Sequence, residues 1–302
     1  MSPWKKYNRW VFKPIAGVTV ALILSCMPAA APAANTPAQT DVKTRIAQAW
    51  DYYRMGEFNK AALIFEGTTA QAEAGSDLNL LARYGLGITY SLRSPDPDNA
   101  SAEKLFEGIV AEKADHELAA WSLLALARMK HAVPVGVEPD YNAIRVAYQR
   151  VIDKFTYHPA GEQAFIYQQS TLVADLDPAD AQKALDALTK FILAHPGSRL
   201  ISSAWTLVSE CDLTLGRSDD RLAVEIKALN TQILDPTNPF MDRAGAYWKI
   251  ATVAEFEAGN FAVARKYYAA LIKEYPTDQR KYGARLALAR MDRVAKNFGG
   301  GR

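Results

Sequence analysis

The chain from Asp41 onward repeats one spacing of apolar positions. Its long segments place apolar residues three and four positions apart, the spacing typical of amphipathic helices, and segments with the alternation of a β-strand are scarce. Prolines and glycines interrupt this pattern, most extensively at residues 94–99 and 131–139. The pattern therefore predicts an all-α fold, with short turns between most helices and two longer connections.

A recurring set of residues divides these helices into pairs. The first copy consists of Tyr52, Gly56, Phe58, Ala61 and Phe65, and the last consists of Trp248, Gly259, Phe261, Ala264, Tyr268 and Pro276. Partial copies lie between them, and the weakest consists of Trp205, Gly216, Leu222 and Ile226. One position recurs about every 40 residues, a repeat-like period, at Ala61, Ala102, Ile144, Ala184 and Ala264.

These residues resemble the tetratricopeptide repeat (TPR) family, which has Trp and Leu-Gly on a first helix, Ala and an aromatic residue on a second, and Pro at the closing turn. The resemblance implies a right-handed helical-hairpin solenoid of about six helix pairs over residues 41–276. The period of about 40 exceeds the TPR unit of about 34 and falls within the range of HEAT units. The two longer connections account for the excess, and a HEAT-like solenoid is the alternative.

One more helix is predicted after the repeats, at residues 277–298. Its apolar residues share one face and its basic residues lie elsewhere, the former being Ala284, Ala287, Leu288 and Met291 and the latter Lys281, Arg285, Arg293 and Lys296. A solenoid needs a terminal element with a polar outer side, so we interpret this helix as a cap. The alternative is a basic surface helix that touches anionic lipid. Residues 299–302 are expected to fray.

Residues 1–34 have the order of a secretory signal peptide. Four cations come first, an apolar run over 15–27 follows, and small residues precede Ala34, where cleavage is expected. Cys26 ends a stretch that resembles the lipobox of bacterial lipoproteins, so a lipid-anchored and a soluble mature form both stay open. Removing the four cations from the 35 Lys and Arg leaves 31 against 33 Asp and Glu. Residues 35–40 are predicted to be an extended linker.

Composition narrows the function further. A hydrophobic fraction of 49% excludes a disordered chain, and the near-balanced charge argues against a nucleic-acid partner. Two cysteines exclude a disulfide scaffold, and Cys211 is expected to be buried. The four histidines lack metal-ligand spacing, and no phosphate loop or nucleophile motif is present. We therefore predict no catalytic residues, no metal and no cofactor. Asp98 and Asp177 are interpreted as turn and helix-start residues.

If the TPR register holds, the first helix of each pair lines a concave binding face. Aromatic residues and arginine dominate binding hot spots, which makes the first-helix residues the candidates for partner binding. They are Trp50, Tyr53, Arg54, Tyr84, Ile88, Met129, Lys130, Lys249, Val253 and Phe256. The alternative for Trp50 and Phe256 is that they pack against neighbouring helices as core.

The sequence thus indicates a non-enzymatic protein–protein interaction scaffold of the bacterial cell envelope. It is expected to be periplasmic or lipid-anchored to the outer membrane through Cys26, and to bind another envelope protein or peptide segment. The resemblance extends to exported bacterial TPR proteins such as outer-membrane assembly lipoproteins and TolA-binding coordinators. The alternative is a solenoid-type cell-wall glycan-processing enzyme, which would need two carboxyl groups about 5–10 Å apart in one cavity.

Overall fold

The computed structural model describes residues 37–93, 96–233 and 242–298, and its only regular elements there are thirteen α-helices. They are α1 Pro37–Arg54, α2 Phe58–Gln71, α3 Asp77–Leu92, α4 Asn99–Glu112, α5 Glu117–His131, α6 Tyr141–Lys154, α7 Pro159–Ala174, α8 Pro178–Ala194, α9 Ile201–Thr214, α10 Ser218–Ile233, α11 Arg243–Phe256, α12 Phe261–Glu274 and α13 Arg280–Phe298. The prediction of an all-α repeat fold with a terminal helix is confirmed. The predicted leader with Cys26 and the predicted frayed tail lie outside the described residues.

The chain divides into two compact units, at Met129 and Lys130. In the first unit, α1 packs on α2 and α3, and α3 packs on α2 and α4. In the second unit, each helix from α6 to α12 packs on the next one, α7 also packs on α9, and α11 on α13. Contacts between successive and next-but-one helices are those of stacked helix hairpins. We refer to the odd-numbered helices as first helices and to the even-numbered ones from α2 to α12 as second helices.

The N-terminal boundary differs from the prediction. Helix α1 begins at Pro37, so residues 37–40 are helical and the predicted linker is wrong there. Proline is well suited to the first position of a helix, because its φ is already helical and the N–H it lacks would have no partner inside the helix. The helix then continues into the buried stripe of Val42, Ile46 and Ala49. The terminal helix begins at Arg280, a few residues after the predicted start.

The fourth residue of every second helix is buried, and its backbone N–H bonds to the carbonyl of the residue that precedes the helix. These residues are Ala61, Ala102, Ile144, Ala181, Arg221 and Ala264. Two differ from the sequence interpretation, because Ala181 replaces Ala184 and Arg221 replaces Leu222. In the fourth pair the reason is local: the Asp177 side chain accepts from the N–H groups of Ala179 and Asp180 and starts the helix at Pro178. Asp98 likewise accepts from the Ser101 N–H, which confirms both residues as helix caps.

The tight turns between first and second helices use a left-handed residue two positions before the second helix. Gly56, Gly216 and Gly259 occupy this place with φ of 78°, 68° and 63°. Leu176 occupies it before α8, with φ of 53°, although a side chain disfavours that conformation. Within the pairs the predicted longer connections are confirmed, since six residues separate α3 from α4 and nine separate α5 from α6, against three or four in the other pairs. Between pairs, α8 and α9 are also six residues apart and α10 and α11 nine, which the sequence pattern did not predict.

Two glycines of α3 let aromatic rings approach its backbone. A Cβ on Gly85 would lie 2.5 Å from the ring of Phe65 on α2, and one on Gly87 would lie 2.7 Å from the ring of Phe106 on α4. Both rings are completely buried. Small residues at these two positions are therefore what allows α3 to pack closely between its neighbours.

Candidate partner-binding surface

The aromatic candidates of α1 belong to the core of the first unit. The Trp50 ring meets Tyr53 at 5.4 Å and Phe65 at 5.2 Å between centroids, both edge to face. Tyr53 is buried and also packs against Phe58, with centroids 5.5 Å apart. The alternative interpretation of Trp50 as a packing residue thus matches its surroundings, and Tyr53 is equally enclosed.

The candidates of α3 are also enclosed. Tyr84 is buried against Phe106, and Ile88 is half-buried in the apolar cluster of the first pair. Burial raises the pKa of the Tyr84 hydroxyl far above its usual range. It also raises the pKa of Tyr53, and the positive charge of Arg128 opposes both shifts. Three successive first helices therefore bring Tyr53, Tyr84 and Arg128 together. The sequence analysis missed Arg128, although its neighbour Met129 was a candidate.

The remaining candidates near this unit are polar or partly covered. Arg54 is exposed at the end of α1 and pairs with Asp51 on the same helix. Met129 is half-buried, and Lys130 is exposed at the end of α5. Among the candidates described so far, only Arg54 and Lys130 are exposed.

The candidates of α11, in the second unit, have different surroundings. Val253 is buried, whereas 66% of Phe256 is exposed. The Arg290 guanidinium of α13 lies 5.1 Å from the centroid of the Phe256 ring, a cation–π distance. The Lys249 ammonium lies 2.6 Å from Glu225 Oε1 and 3.7 Å from Glu210 Oε1. The surface of this unit therefore carries an exposed aromatic ring and cations whose positions are fixed by acids.

Hydrogen bonds to Glu255 fix the position of Arg290 beside Phe256. Arg290 donates from Nε at 3.0 Å and from Nη2 at 2.6 Å to Glu255 Oε1. Glu255 is buried, and its second oxygen accepts from the Tyr268 hydroxyl at 3.0 Å. Burial and this bond to Glu255 raise the pKa of the Tyr268 hydroxyl far above its usual range. The chain from Tyr268 through Glu255 to Arg290 thus fixes the guanidinium over the ring of Phe256.

In the fifth pair, α9 and α10, charged side chains replace part of the apolar core. The fourth and eighth residues of α12 are Ala264 and Tyr268, whereas the same positions of α10 hold Arg221 and Glu225, both buried. These two residues and their hydrogen-bond and ion-pair partners form a cluster that we call the polar junction. It consists of Ser209, Glu210, Arg221, Glu225, Lys249 and Glu257. The sequence analysis missed it, because Leu222 and Ile226 were taken as the core positions.

Most charged groups of the polar junction are compensated by ion pairs and hydrogen bonds to one another. Arg221 Nη1 donates to both oxygens of Glu257, at 2.7 and 2.6 Å, and Nε donates to the Ser209 hydroxyl at 3.3 Å. Ser209 in turn donates to Glu225, whose carboxylate also pairs with Lys249. Helices α9, α10 and α11 are therefore joined by ion pairs and hydrogen bonds at the level where α2, α4 and α12 contribute alanine and an aromatic ring. Buried charges are retained only where such partners compensate for lost hydration.

Asp212 lies beside this junction and is less well compensated. Its side chain is buried, and its Oδ2 has no hydrogen-bond partner among the described residues. Burial and the negative charge of Asp220 together raise the pKa of Asp212 to about 6, and the positive charges of Arg217 and Arg221 oppose the shift. Asp212 is thus a buried carboxyl group whose charge changes with pH just below neutrality.

The described part of the chain does not gather a metal-binding cluster of His, Cys, Asp and Glu. Cys211 is buried as expected, and burial raises the pKa of its thiol to about 12, which keeps it protonated. Among the described helices, none has both the length and the apolar character that crossing a bilayer requires. What this surface offers is therefore fixed charge and exposed aromatic area.

Comparison with known proteins locates one clear repeat. Residues 246–278, which cover most of α11 and all of α12, match the model of the tetratricopeptide repeat. They include Trp248, Gly259, Ala264 and Tyr268, on which the resemblance rested. No curated protein matches the chain.

Three solved structures are similar to the chain at low identity. A point variant of the nearly identical TPR-like repeats from a Podosopora anserina protein assigned as a kinesin light chain has a TM-score of 0.50 and 14% identity, and covers 66% of this chain and 97% of its own. A second structure of these repeats has a TM-score of 0.49 and 14% identity over 68% and 100%. The assembly chaperone of RpL4 has a TM-score of 0.45 and 14% identity over 84% and 99%. The repeat match identifies residues 246–278 as a TPR-like unit, and the first of these likenesses supports a TPR-like fold. Repeats of this kind generally bind proteins or peptides.

Proposed function

We propose that this protein is a non-enzymatic interaction scaffold of the bacterial cell envelope, which binds a partner protein or peptide segment on the first-helix face of its second unit. The TPR-like fold supports an interaction role, because stacked helix hairpins present long surfaces without assembled chemistry. The single observation that carries the choice of surface is Phe256, an exposed aromatic ring held under a fixed arginine.

Phe256 and Arg290 have the features of a binding hot spot. Aromatic residues and arginine are enriched among the residues that dominate interface energies. Here the arginine is already held by Glu255, so binding would cost little additional side-chain entropy. Lys249 adds a cation of fixed position, and its side chain is still 36% exposed. A partner with an apolar side chain and neighbouring carboxylates would complement this surface.

The envelope location is proposed from residues 1–34. Their order of cations, apolar run and small residues is that of an export signal. Cys26 would carry the lipid in an outer-membrane-anchored form, and Ala34 would begin a soluble periplasmic form. The intact mass of the protein purified from the envelope separates the two, and an uncleaved chain that begins at Met1 contradicts both.

Site-specific photo-crosslinking tests the surface. A photoreactive phenylalanine analogue at Phe256 should crosslink one partner in growing cells, and the same analogue at Tyr157 serves as the matched control, because that ring is 96% exposed outside the first helices. The captured partner, identified and purified, should bind the Phe256→Ala variant at least about thirtyfold more weakly, the loss typical of a hot-spot residue.

The control outcome decides between this surface and others. Tyr157→Ala should leave the Kd unchanged, and both variants should keep the helical content of the parent. Equal crosslinking at the two positions, or a Kd unaffected by Phe256→Ala, would show that the partner binds elsewhere on the chain.

A further inference from the structure

The terminal helix α13 has a face that no described helix covers. The helix packs on α11 and α12 through Ala284, Ala287 and Met291, which are buried. The opposite side is exposed and presents Tyr282, Arg285, Leu286, Ala289, Arg293 and Lys296. Arg285 and Leu286 are neighbours in the chain and the other steps are of three or four residues, so the six residues form one continuous stripe, which we call the outer face of α13.

The outer face is strongly basic. Arg285, Arg293 and Lys296 have no carboxylate within ion-pair distance among the described residues, and the acid of this helix, Asp292, pairs with Arg265. Residues 280–302 hold seven of the 35 Lys and Arg of the chain and one of its 33 Asp and Glu. Residues 35–279 hold 24 Lys and Arg against 32 Asp and Glu. The charge of the chain is therefore segregated, and the outer face complements an anionic surface.

The outer face also contains apolar side chains between its cations. Tyr282 is 62% exposed and Leu286 is 70% exposed. The Lys281 ammonium lies 5.1 Å from the centroid of the Tyr282 ring. Aromatic and leucine side chains flanked by Lys and Arg are typical of helices that lie in the interface of a bilayer, where the apolar parts enter and the cations meet headgroup phosphates.

We propose that the outer face of α13 binds the surface of an anionic lipid bilayer. The size of the face favours lipid over a protein partner. A helix of this length is about 28 Å long and about 10 Å wide, so the face offers roughly 300 Å², whereas a stable protein interface buries about 800 Å² per partner. A bilayer requires no complementary shape, and charge alone can hold a polybasic helix reversibly.

A fluorescent probe on α13 in the full chain tests the proposal. Ala289→Cys, in a Cys26→Ser background, places a polarity-sensitive fluorophore on the outer face, while Cys211 is buried. Vesicles of phosphatidylcholine mixed with phosphatidylglycerol should shift the emission to the blue, and pure phosphatidylcholine should not. Because the probe reports α13 alone, membrane binding by the basic leader does not imitate this signal. The same fluorophore on Val146→Cys, an exposed position of α6, should not shift with either lipid.

Charge variants then identify the cause. The combined change of Arg285, Arg293 and Lys296 to Gln should raise the lipid concentration for half of the shift by more than about tenfold, since each cation near an anionic surface contributes about fivefold. A matched variant with Arg150, Lys190 and Lys273 changed to Gln removes the same charge from exposed positions of α6, α8 and α12 and should bind normally.

Three results would overturn the proposal. No shift on anionic vesicles would mean that the outer face serves an acidic protein or nothing. An equal shift on neutral vesicles would mean that apolar contact, not charge, brings the helix to lipid. An equal loss in the matched variant would mean that overall charge, and not this face, controls binding.

Discussion

Replacing Arg221 with alanine should destabilise the second unit, although alanine is what four other second helices carry at this position. The substitution restores the small residue found at Ala61, Ala102, Ala181 and Ala264. It also removes the bidentate bonds to Glu257 and the bond to Ser209. Glu225 and Glu210 would then retain only Lys249 as a cation. The loss of one partner from a buried charge network outweighs the better fit of alanine.

The expected loss of stability follows from how deeply the ion pair of Arg221 and Glu257 is buried. Breaking a fully buried ion pair costs about 3–5 kcal/mol. The Glu257 side chain is 31% exposed and can recover part of its hydration, so we expect about 2–3 kcal/mol for Arg221→Ala. Arg265→Ala is the matched control, because its pair with Asp292 is on the surface, and it should cost less than about 1 kcal/mol.

A second substitution tests the cause. Arg221→Ala combined with Glu225→Tyr gives α10 the alanine and tyrosine that α12 has at Ala264 and Tyr268. The new hydroxyl would lie near Asp212, which precedes its turn glycine by four residues as Glu255 does, and could donate to the unpaired Oδ2. The double variant should therefore be more stable than Arg221→Ala alone, as expected when buried charges are replaced by packed side chains.

Urea unfolding followed by circular dichroism measures these differences, and hydrogen exchange by mass spectrometry locates them. Increased exchange should be confined to α9–α12, with residues 37–129 unchanged. The reasoning is refuted if Arg221→Ala is as stable as the parent. A double variant that is no more stable than Arg221→Ala would show that the fifth pair cannot accept the apolar pattern of the sixth.

Three further substitutions test the fold and its pH dependence. Gly85→Ala should lower the free energy of unfolding by about 1–3 kcal/mol, because the new methyl group would overlap the buried ring of Phe65. Gly67→Ala, whose methyl group meets only ordinary contacts, is the control and should be neutral or stabilising in thermal melts. Leu176→Gly should stabilise by about 0.5–1 kcal/mol, since its exposed side chain gains little in a left-handed turn, and a lower Tm would contradict this. The pKa of Asp212 is raised to about 6 in the folded state. Loss of its proton should therefore destabilise the fold as the pH rises from about 4 to about 7, and Asp212→Asn should flatten that part of the stability–pH profile.

The architecture could be predicted from the sequence because it depends on local patterns. Spacings of three and four predicted helices, and Gly56, Gly216 and Gly259 marked the turns where a left-handed residue is needed. Asp98 and Asp177 marked helix starts, because their side chains bond to N–H groups only two or three residues away. Each of these signals acts within a few residues along the chain. The error at residues 37–40 arose where proline, taken as a linker residue, instead begins a helix.

The binding surface depended on contacts that the sequence does not contain. Tyr53 and Phe256 are both aromatic residues three positions before a turn glycine, yet Tyr53 is buried against Phe58 while Phe256 is exposed under Arg290. Arg221 reads in the sequence as a solvent-facing charge and becomes buried because Glu257, 36 residues away, supplies its partner. The sequence by itself determined where helices begin, end and repeat, since those choices are made by backbone conformation and short-range hydrogen bonds. Only the tertiary structure decided which charges are compensated and which rings face water, because burial is set by neighbouring helices that are distant in the chain.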